Sequence, residues 1–131
     1  MAECFPTELL DRLVMAYLPV SPDRLVFEPI RTGKHNTSYY VTGAGDDLVL
    51  RISPPDDAGY LFYERRMMAQ EPQLHALVRA ETTVPVAEIL AHDDSRSLVD
   101  RDYLLMERLP GRPLTDARLN KRQLAGVLEQ V

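Results

Sequence analysis

At 131 residues, 45% of them apolar, the chain has enough material for one domain with a real hydrophobic core. Its formal charge of -5 argues against a nucleic-acid binder held by a broad basic face, although a local basic pocket is compatible with it. The single cysteine, Cys4, leaves no partner for an intrachain disulfide; the start lacks a basic leader, and the uncharged, mostly apolar run Leu13 to Pro22 is broken by Pro19 and too short for a bilayer, so a soluble cytoplasmic protein is expected.

Thr7 can cap a helix whose apolar residues Leu9, Leu10, Leu13, Val14, Tyr17 and Leu18 share one face, with Glu8 and Asp11 near its positive end and Pro19 as its stop. Leu25 to Ile30 reads as a first strand. Gly33-Lys34-His35-Asn36-Thr37-Ser38 follows, small or polar residues that let backbone N–H groups and hydroxyls approach an anion. Ser38 to Val41 and Leu48 to Ile52 are rich in β-branched and aromatic residues and flank the turn cluster Gly43 to Asp47, which predicts a hairpin. Arg51 lies near the end of its second strand. Its rigid five-donor fork and the Gly33 to Ser38 loop could meet the same phosphates, and an ordinary solvated hairpin is the competing reading.

Ser53-Pro54-Pro55-Asp56-Asp57 breaks regular structure, and a helix is expected from about Ala58 to Ala80 with Met67, Leu74, Leu77 and Val78 facing inward. Glu71 lies on that stripe and needs a cation, since burying an unpaired charge costs several kcal/mol, roughly. Glu64, two turns earlier, is the alternative carboxylate, and a solvated face is the ordinary alternative for both. Pro72 disfavours a helical conformation at Glu71 and predicts a kink or a split. Val84-Pro85-Val86-Ala87 leads into a short strand, Glu88 to His92; Asp93 to Ser97 is a turn, and Leu98 to Met106 is the return strand. Glu107-Arg108-Leu109-Pro110-Gly111 is extended and then broken. A final helix starts near Asn120, with Gln123 completing a capping box and Leu124, Val127, Leu128 and Val131 forming an apolar stripe that predicts self-association.

In this order and at this spacing, Val49-Leu50-Arg51, then Glu71 with Val84-Pro85-Val86, then Leu104-Leu105-Met106-Glu107-Arg108-Leu109-Pro110-Gly111 resemble the N-terminal lobe of the aminoglycoside phosphotransferase family, which shares the protein-kinase fold. The resemblance runs from Leu25 to Val131 and reaches about the first third of a typical member. It implies an α+β fold: a kinase-like N-lobe with a five-stranded antiparallel sheet and a packed helix, plus an N-terminal and a C-terminal helix. The expected organisation is a single domain over 1–131, with the N-terminal helix in 1–20, the nucleotide-binding lobe in 21–111 and the start of a missing C-lobe in 112–131.

The resemblance also assigns roles. Arg51 takes the phosphate-binding basic position, an arginine where protein kinases have lysine, and Glu71 is the helix carboxylate that orients it. Gly33, Asn36, Thr37 and Ser38 would cover the phosphates, with Lys34 and His35 as departures from the usual small residues. The exit segment would be the adenine hinge. Residues two apart in an extended strand point the same way, so the Glu107 carbonyl and the Leu109 N–H can both face a purine edge, with Met106 as a wall beside it.

Phosphoryl transfer also needs a catalytic aspartate, a nearby Asn and a second, magnesium-holding Asp, all in the family's C-terminal lobe. The local match His92-Asp93-Asp94 has Val99 where the asparagine should stand, and is rejected. His75 and the pairs Arg65-Arg66 and Lys121-Arg122 read as surface. The expectation is therefore the nucleotide-binding lobe of an ATP- or GTP-dependent phosphotransferase that moves a γ-phosphoryl group to a hydroxyl of a small molecule, truncated before the catalytic loop and inactive alone. Mg2+ is expected only with the missing C-lobe, and no nucleic-acid or membrane partner is expected. The alternative is a non-catalytic protein-interaction module or a decayed gene fragment.

Overall fold

The computed structural model describes residues 3–32, 35–56, 66–112 and 118–130. Helix α1 (Thr7–Met15) precedes strands β1 (Val26–Ile30), β2 (Thr37–Ala44) and β3 (Asp46–Ile52). Helix α2 (Met67–Glu81), strands β4 (Ile89–Asp93) and β5 (Tyr103–Glu107) and helix α3 (Lys121–Leu128) follow. The five strands form one sheet in the order β1-β2-β3-β5-β4, every pairing antiparallel.

Strand alternation sorts the side chains into two layers. Tyr39 and Val41 of β2, Leu48, Leu50 and Ile52 of β3, and Tyr103 and Leu105 of β5 lie in one cluster with Leu10, Leu13 and Val14 of α1. Leu13, Val14, Leu50, Ile52 and Leu105 are fully buried there, and burying each such side chain stabilises by about 1.5–3 kcal/mol. The opposite face carries a smaller cluster in which Met68 of α2 packs with Leu104 and Met106 of β5, Ala87, and the half-buried Val49 and Ile89. Val49 and Arg51 alternate with Leu48, Leu50 and Ile52, so Arg51 belongs to the α2 side.

Gly43 and Gly45 serve the hairpin differently from a simple turn cluster. Gly43 sits inside β2 beside an irregularity in the β2–β3 register between Val41 and Ala44, with φ at 93°, and a Cβ there would run into the carbonyl of Arg24. Gly45, φ 98°, is the tip between the paired Ala44 and Asp46.

Several expectations are corrected. Thr7 is already helical, and the cap position is held by Pro6 without a side-chain hydrogen bond. The return strand begins at Tyr103 rather than Leu98, because Arg96 is held in the left-handed region at φ 56° and ion-paired to Asp56 and Asp102, which keeps the preceding segment out of the ladder. Helix α2 runs from Met67, after Arg66 at φ 59°, unbroken through Pro72, and the part of the expected helix from Ala58 to Arg65 lies outside the described residues. Pro72 is the sixth residue of the helix, so its missing N–H leaves only the Met68 carbonyl without its usual partner.

The inward face of α2 is also displaced by one residue, a turn of about 100°. Met67, Leu74 and Leu77 of the expected face are 56%, 52% and 58% exposed and only Val78 is half-buried, while Met68 is buried and Glu71 and His75 are half-buried. Apolar residues surround this helix on several sides, so periodicity alone does not select a face; the fit of Met68 against Leu104 and Met106 does. The Asn120–Gln123 capping box of α3 is present as expected, each residue's side chain bonding the other's backbone N–H.

Candidate functional site

The site is built where β3 and α2 meet. Arg51 projects from β3 onto the α2 side, and its Nη1 donates to Glu71 Oε2 at 2.7 Å. The two side chains keep 28% and 22% of their exposure, so the pair is sheltered yet open on one side. Both expected members of the pair are therefore in contact. The alternative carboxylate, Glu64, lies outside the described residues, as do Gly33 and Lys34 of the expected phosphate loop.

Ser38 lies opposite Arg51 across the β2–β3 ladder and opposite Ile30 across the β1–β2 ladder. Thr37 pairs likewise with Ile52. Both belong to a strand, so Ser38 offers a ligand its hydroxyl more readily than a backbone N–H already placed within the sheet, a correction to the idea of a loop extending through Ser38. Asn36, just before β2, lines a cleft of about 470 Å3 together with His35, Ser53, Arg66, Met68 and Glu71. Because Glu71 belongs to both, this cleft adjoins the ion pair, and it mixes cations with carboxylates beside an apolar wall.

The residues expected at the hinge lie on β5, beside β3, and just beyond its end. Met106 is 7% exposed and sits opposite Val49, which in turn sits opposite Tyr40. The row Tyr40, Val49, Met106 crosses three strands on the α2 side, one alternation step from the row Ser38, Arg51, Leu104. Glu107 uses its N–H on the Glu88 carbonyl at 2.9 Å, and its Oε1 accepts from the Glu88 N–H at 2.9 Å and from Arg79 at 3.2 Å. Leu109 lies beyond β5 and is 41% exposed.

Helix α2 is fastened along this face at three levels. Glu71 holds Arg51, His75 Nδ1 bonds the Ala87 carbonyl at 2.8 Å, and Arg79 donates to the Val86 carbonyl at 3.0 Å and to Glu107. His75 is thus a structural contact rather than surface, and the spacing 68, 71, 75, 79 is the helical signal that identifies it. Tyr40 has no role in the sequence pattern beyond its strand, yet its alternation with Tyr39 and Val41 places it beside Ser38 on the α2 side.

The His92-Asp93-Asp94 stretch is engaged elsewhere. Asp93 Oδ2 accepts from the Tyr17 hydroxyl at 2.7 Å, and Asp93 Oδ1 accepts from the Ser95 hydroxyl and N–H. The Ser95 hydroxyl, more than any other contact, holds the Asp93 carboxyl below its ordinary range. Burial pushes the Tyr103 phenol well above its usual value, aided by the Asp93 charge. Among the described residues, no group of three or more His, Cys, Asp or Glu could hold a metal, and no helix is long and apolar enough to cross a membrane.

A five-stranded antiparallel sheet with a helix fastened by an arginine–glutamate pair defines a kinase-like small lobe. The chain matches the model of the phosphotransferase enzyme family over residues 26–131, and it belongs to that family. Among curated proteins none matches the sequence. The solved structures similar to the chain include two kinase-like proteins. One is a candidate aminoglycoside phosphotransferase from Ralstonia eutropha JMP134, with a TM-score of 0.55 and 24% identity over 83% of this chain and 29% of that one. The other is the microcompartment-associated aminopropanol kinase, with a TM-score of 0.58 and 15% identity over 88% of this chain and 35% of that one. The chain thus spans about a third or less of the structures it resembles, and at these identities the likeness establishes the fold.

Proposed function

We propose that the chain is the nucleotide-binding lobe of an ATP- or GTP-dependent phosphotransferase that moves a γ-phosphoryl group to the hydroxyl of a small molecule. The observation that carries this reading is the 2.7 Å Arg51–Glu71 pair on the open face of the sheet. Arg can engage a carboxylate with one edge of its fork and a phosphate with another, so Glu71 fixes the guanidinium in direction while leaving donors free.

The surroundings fit a nucleotide end to end. Tyr40, Val49 and Met106 offer aromatic and apolar surface for a base, and Glu107 and Leu109 offer the hinge edge. Arg51 stands two residues along β3 from Val49, about 7 Å away at strand rise, with the Ser38 hydroxyl opposite it and Asn36 near the cleft. That separation suits a base at one end and phosphates at the other. Gly33 completes the proposed phosphate contacts.

Within this chain these residues bind and orient the nucleotide. Deprotonating an acceptor hydroxyl and holding Mg2+ are proposed to fall to a further lobe of the complete protein, a reading supported by the chain's spanning 29% and 35% of the structures it resembles and by the engagement of Asp93 with Tyr17 and Ser95. A cytoplasmic location goes with this reading. The runner-up is a non-catalytic interaction module, favoured by the exposure of Leu124 and Leu128 on α3.

Calorimetric titration with ATP and with GTP separates the two. Binding of at least one of them, weakened about tenfold or more by Arg51→Met, is expected, because a hydrogen bond to a charged group contributes about 1.5–3 kcal/mol. No binding of either nucleotide at millimolar concentration favours the interaction module.

A further inference from the structure

The Arg108 guanidinium lies over the Tyr40 ring, 3.7 Å from its centroid. The backbone explains how it gets there. The Arg108 N–H donates to the Asp47 carbonyl at 3.0 Å, which extends the β3–β5 pairing by one residue, and Arg108 is two residues past Met106 and so on the same side of the sheet. From there its side chain crosses β3 diagonally and stacks on β2. Arg108 is exposed while Tyr40 is half-buried, so the ring is the fixed partner and the guanidinium the movable one.

Tyr40 stands on the α2 side, in the row Tyr40, Val49, Met106 that the proposed function assigns to the base. A planar base stacked on Tyr40 needs the same distance of about 3.5–4.0 Å that the guanidinium now fills. Two flat groups cannot occupy one ring face together.

We propose that Arg108 is a placeholder for the nucleotide base: guanidinium and purine compete for the Tyr40 ring, and nucleotide binding swings Arg108 off it. The proposal rests on the nucleotide-binding reading and adds to it a self-occluding contact within the hinge. Arg108 then sets how tightly a purine nucleotide binds without touching its phosphates. The exchange also shields Tyr40, a half-buried aromatic ring, whenever the base is elsewhere.

Competition against a fluorescent ATP analogue tests this with the whole chain. Arg108→Ala should bind ATP or GTP about two- to fivefold more tightly, the strength of an exposed cation–π contact expressed as affinity. Tyr40→Leu, which keeps an apolar side chain on the sheet, should bind more weakly, by about fivefold or more through lost stacking, and in its background Arg108→Ala should bring no gain. Inorganic triphosphate, which carries no base, should not bind more tightly to Arg108→Ala. Wild-type binding that Arg108→Ala leaves unchanged or weakens overturns the placeholder, as does an equal gain with inorganic triphosphate or in the Tyr40→Leu background. Absence of nucleotide binding in the wild type and in every variant overturns the nucleotide reading itself, and the placeholder with it.

Discussion

Arg51 and Glu71 reach each other because a two-residue period on a strand and a 3.6-residue period on a helix bring one donor and one acceptor to the same gap. Their exposure is intermediate, so the pair is worth about 1 kcal/mol in a double-mutant cycle of Arg51→Met and Glu71→Gln, measured by urea unfolding. Additive single effects would show that the contact contributes nothing to stability. Two other carboxylates give the chain an acid limb. Asp56 is held below the ordinary value of 3.8 chiefly by its hydrogen bond from Arg96, and Asp93 chiefly by the Ser95 hydroxyl. A lowered folded pKa contributes stability that is present above the unfolded value and is lost as pH falls through the folded one. Stability should therefore hold down to about pH 4 and decline below it, and Asp93→Asn should flatten that decline. An acid limb of the same slope in the variant would contradict this. The residue types at the pair were legible in the sequence, since a carboxylate on a packed helix demands a cation. The Asp56–Arg96–Asp102 cluster was not, because it joins positions 40 and 6 residues apart through a left-handed residue that no pattern announces.

Helix α2 is set in place by packing rather than by its own pattern. Its existence follows from composition, but its orientation does not, because Met67, Leu74 and Leu77 present as good a stripe as Met68, Glu71, His75 and Arg79. Long-range packing against β5 decides between them. Met68→Ala should accordingly destabilise the chain by about 2–5 kcal/mol, whereas Leu77→Ala on the exposed side should cost well under that. A Leu77→Ala cost that equals or exceeds that of Met68→Ala in denaturant unfolding would contradict this orientation. The hairpin was legible in its strands and less so in its turn: Gly43 is required inside β2 rather than at the tip. Gly43→Ala meets both a left-handed backbone and the Arg24 carbonyl, and should cost about 1–3 kcal/mol or more in thermal unfolding, while Gly45→Ala, with open space around it, meets the backbone penalty alone.

Across the whole sheet, α1 covers one face and α2 part of the other, and on that second face Ser38, Tyr40, Val49 and Arg51 are half-buried. The strand count, the order of elements and the kinase-like architecture could be read from motif order, because each motif marks the end of one element. The open side of α3 is expected to make the chain associate: Leu124 and Leu128 are 44% and 63% exposed, and sedimentation should show the wild type larger than a Leu124→Glu, Leu128→Glu double variant. A monomeric wild type would remove that expectation. Phosphoryl transfer from labelled ATP or GTP to hydroxyl acceptors is expected to be undetectable with these residues alone. Nucleotide binding at the Arg51–Glu71 site is tested most directly by mapping chemical-shift changes in 1H–15N spectra as ATP or GTP is added. The account predicts the largest changes at the Arg51 side-chain Nε–H and the amides of Asn36, Ser38, Tyr40, Val49 and Leu109, and little change on the α1 face; saturating nucleotide that leaves these unmoved, or that shifts α1 and α3 instead, would contradict it.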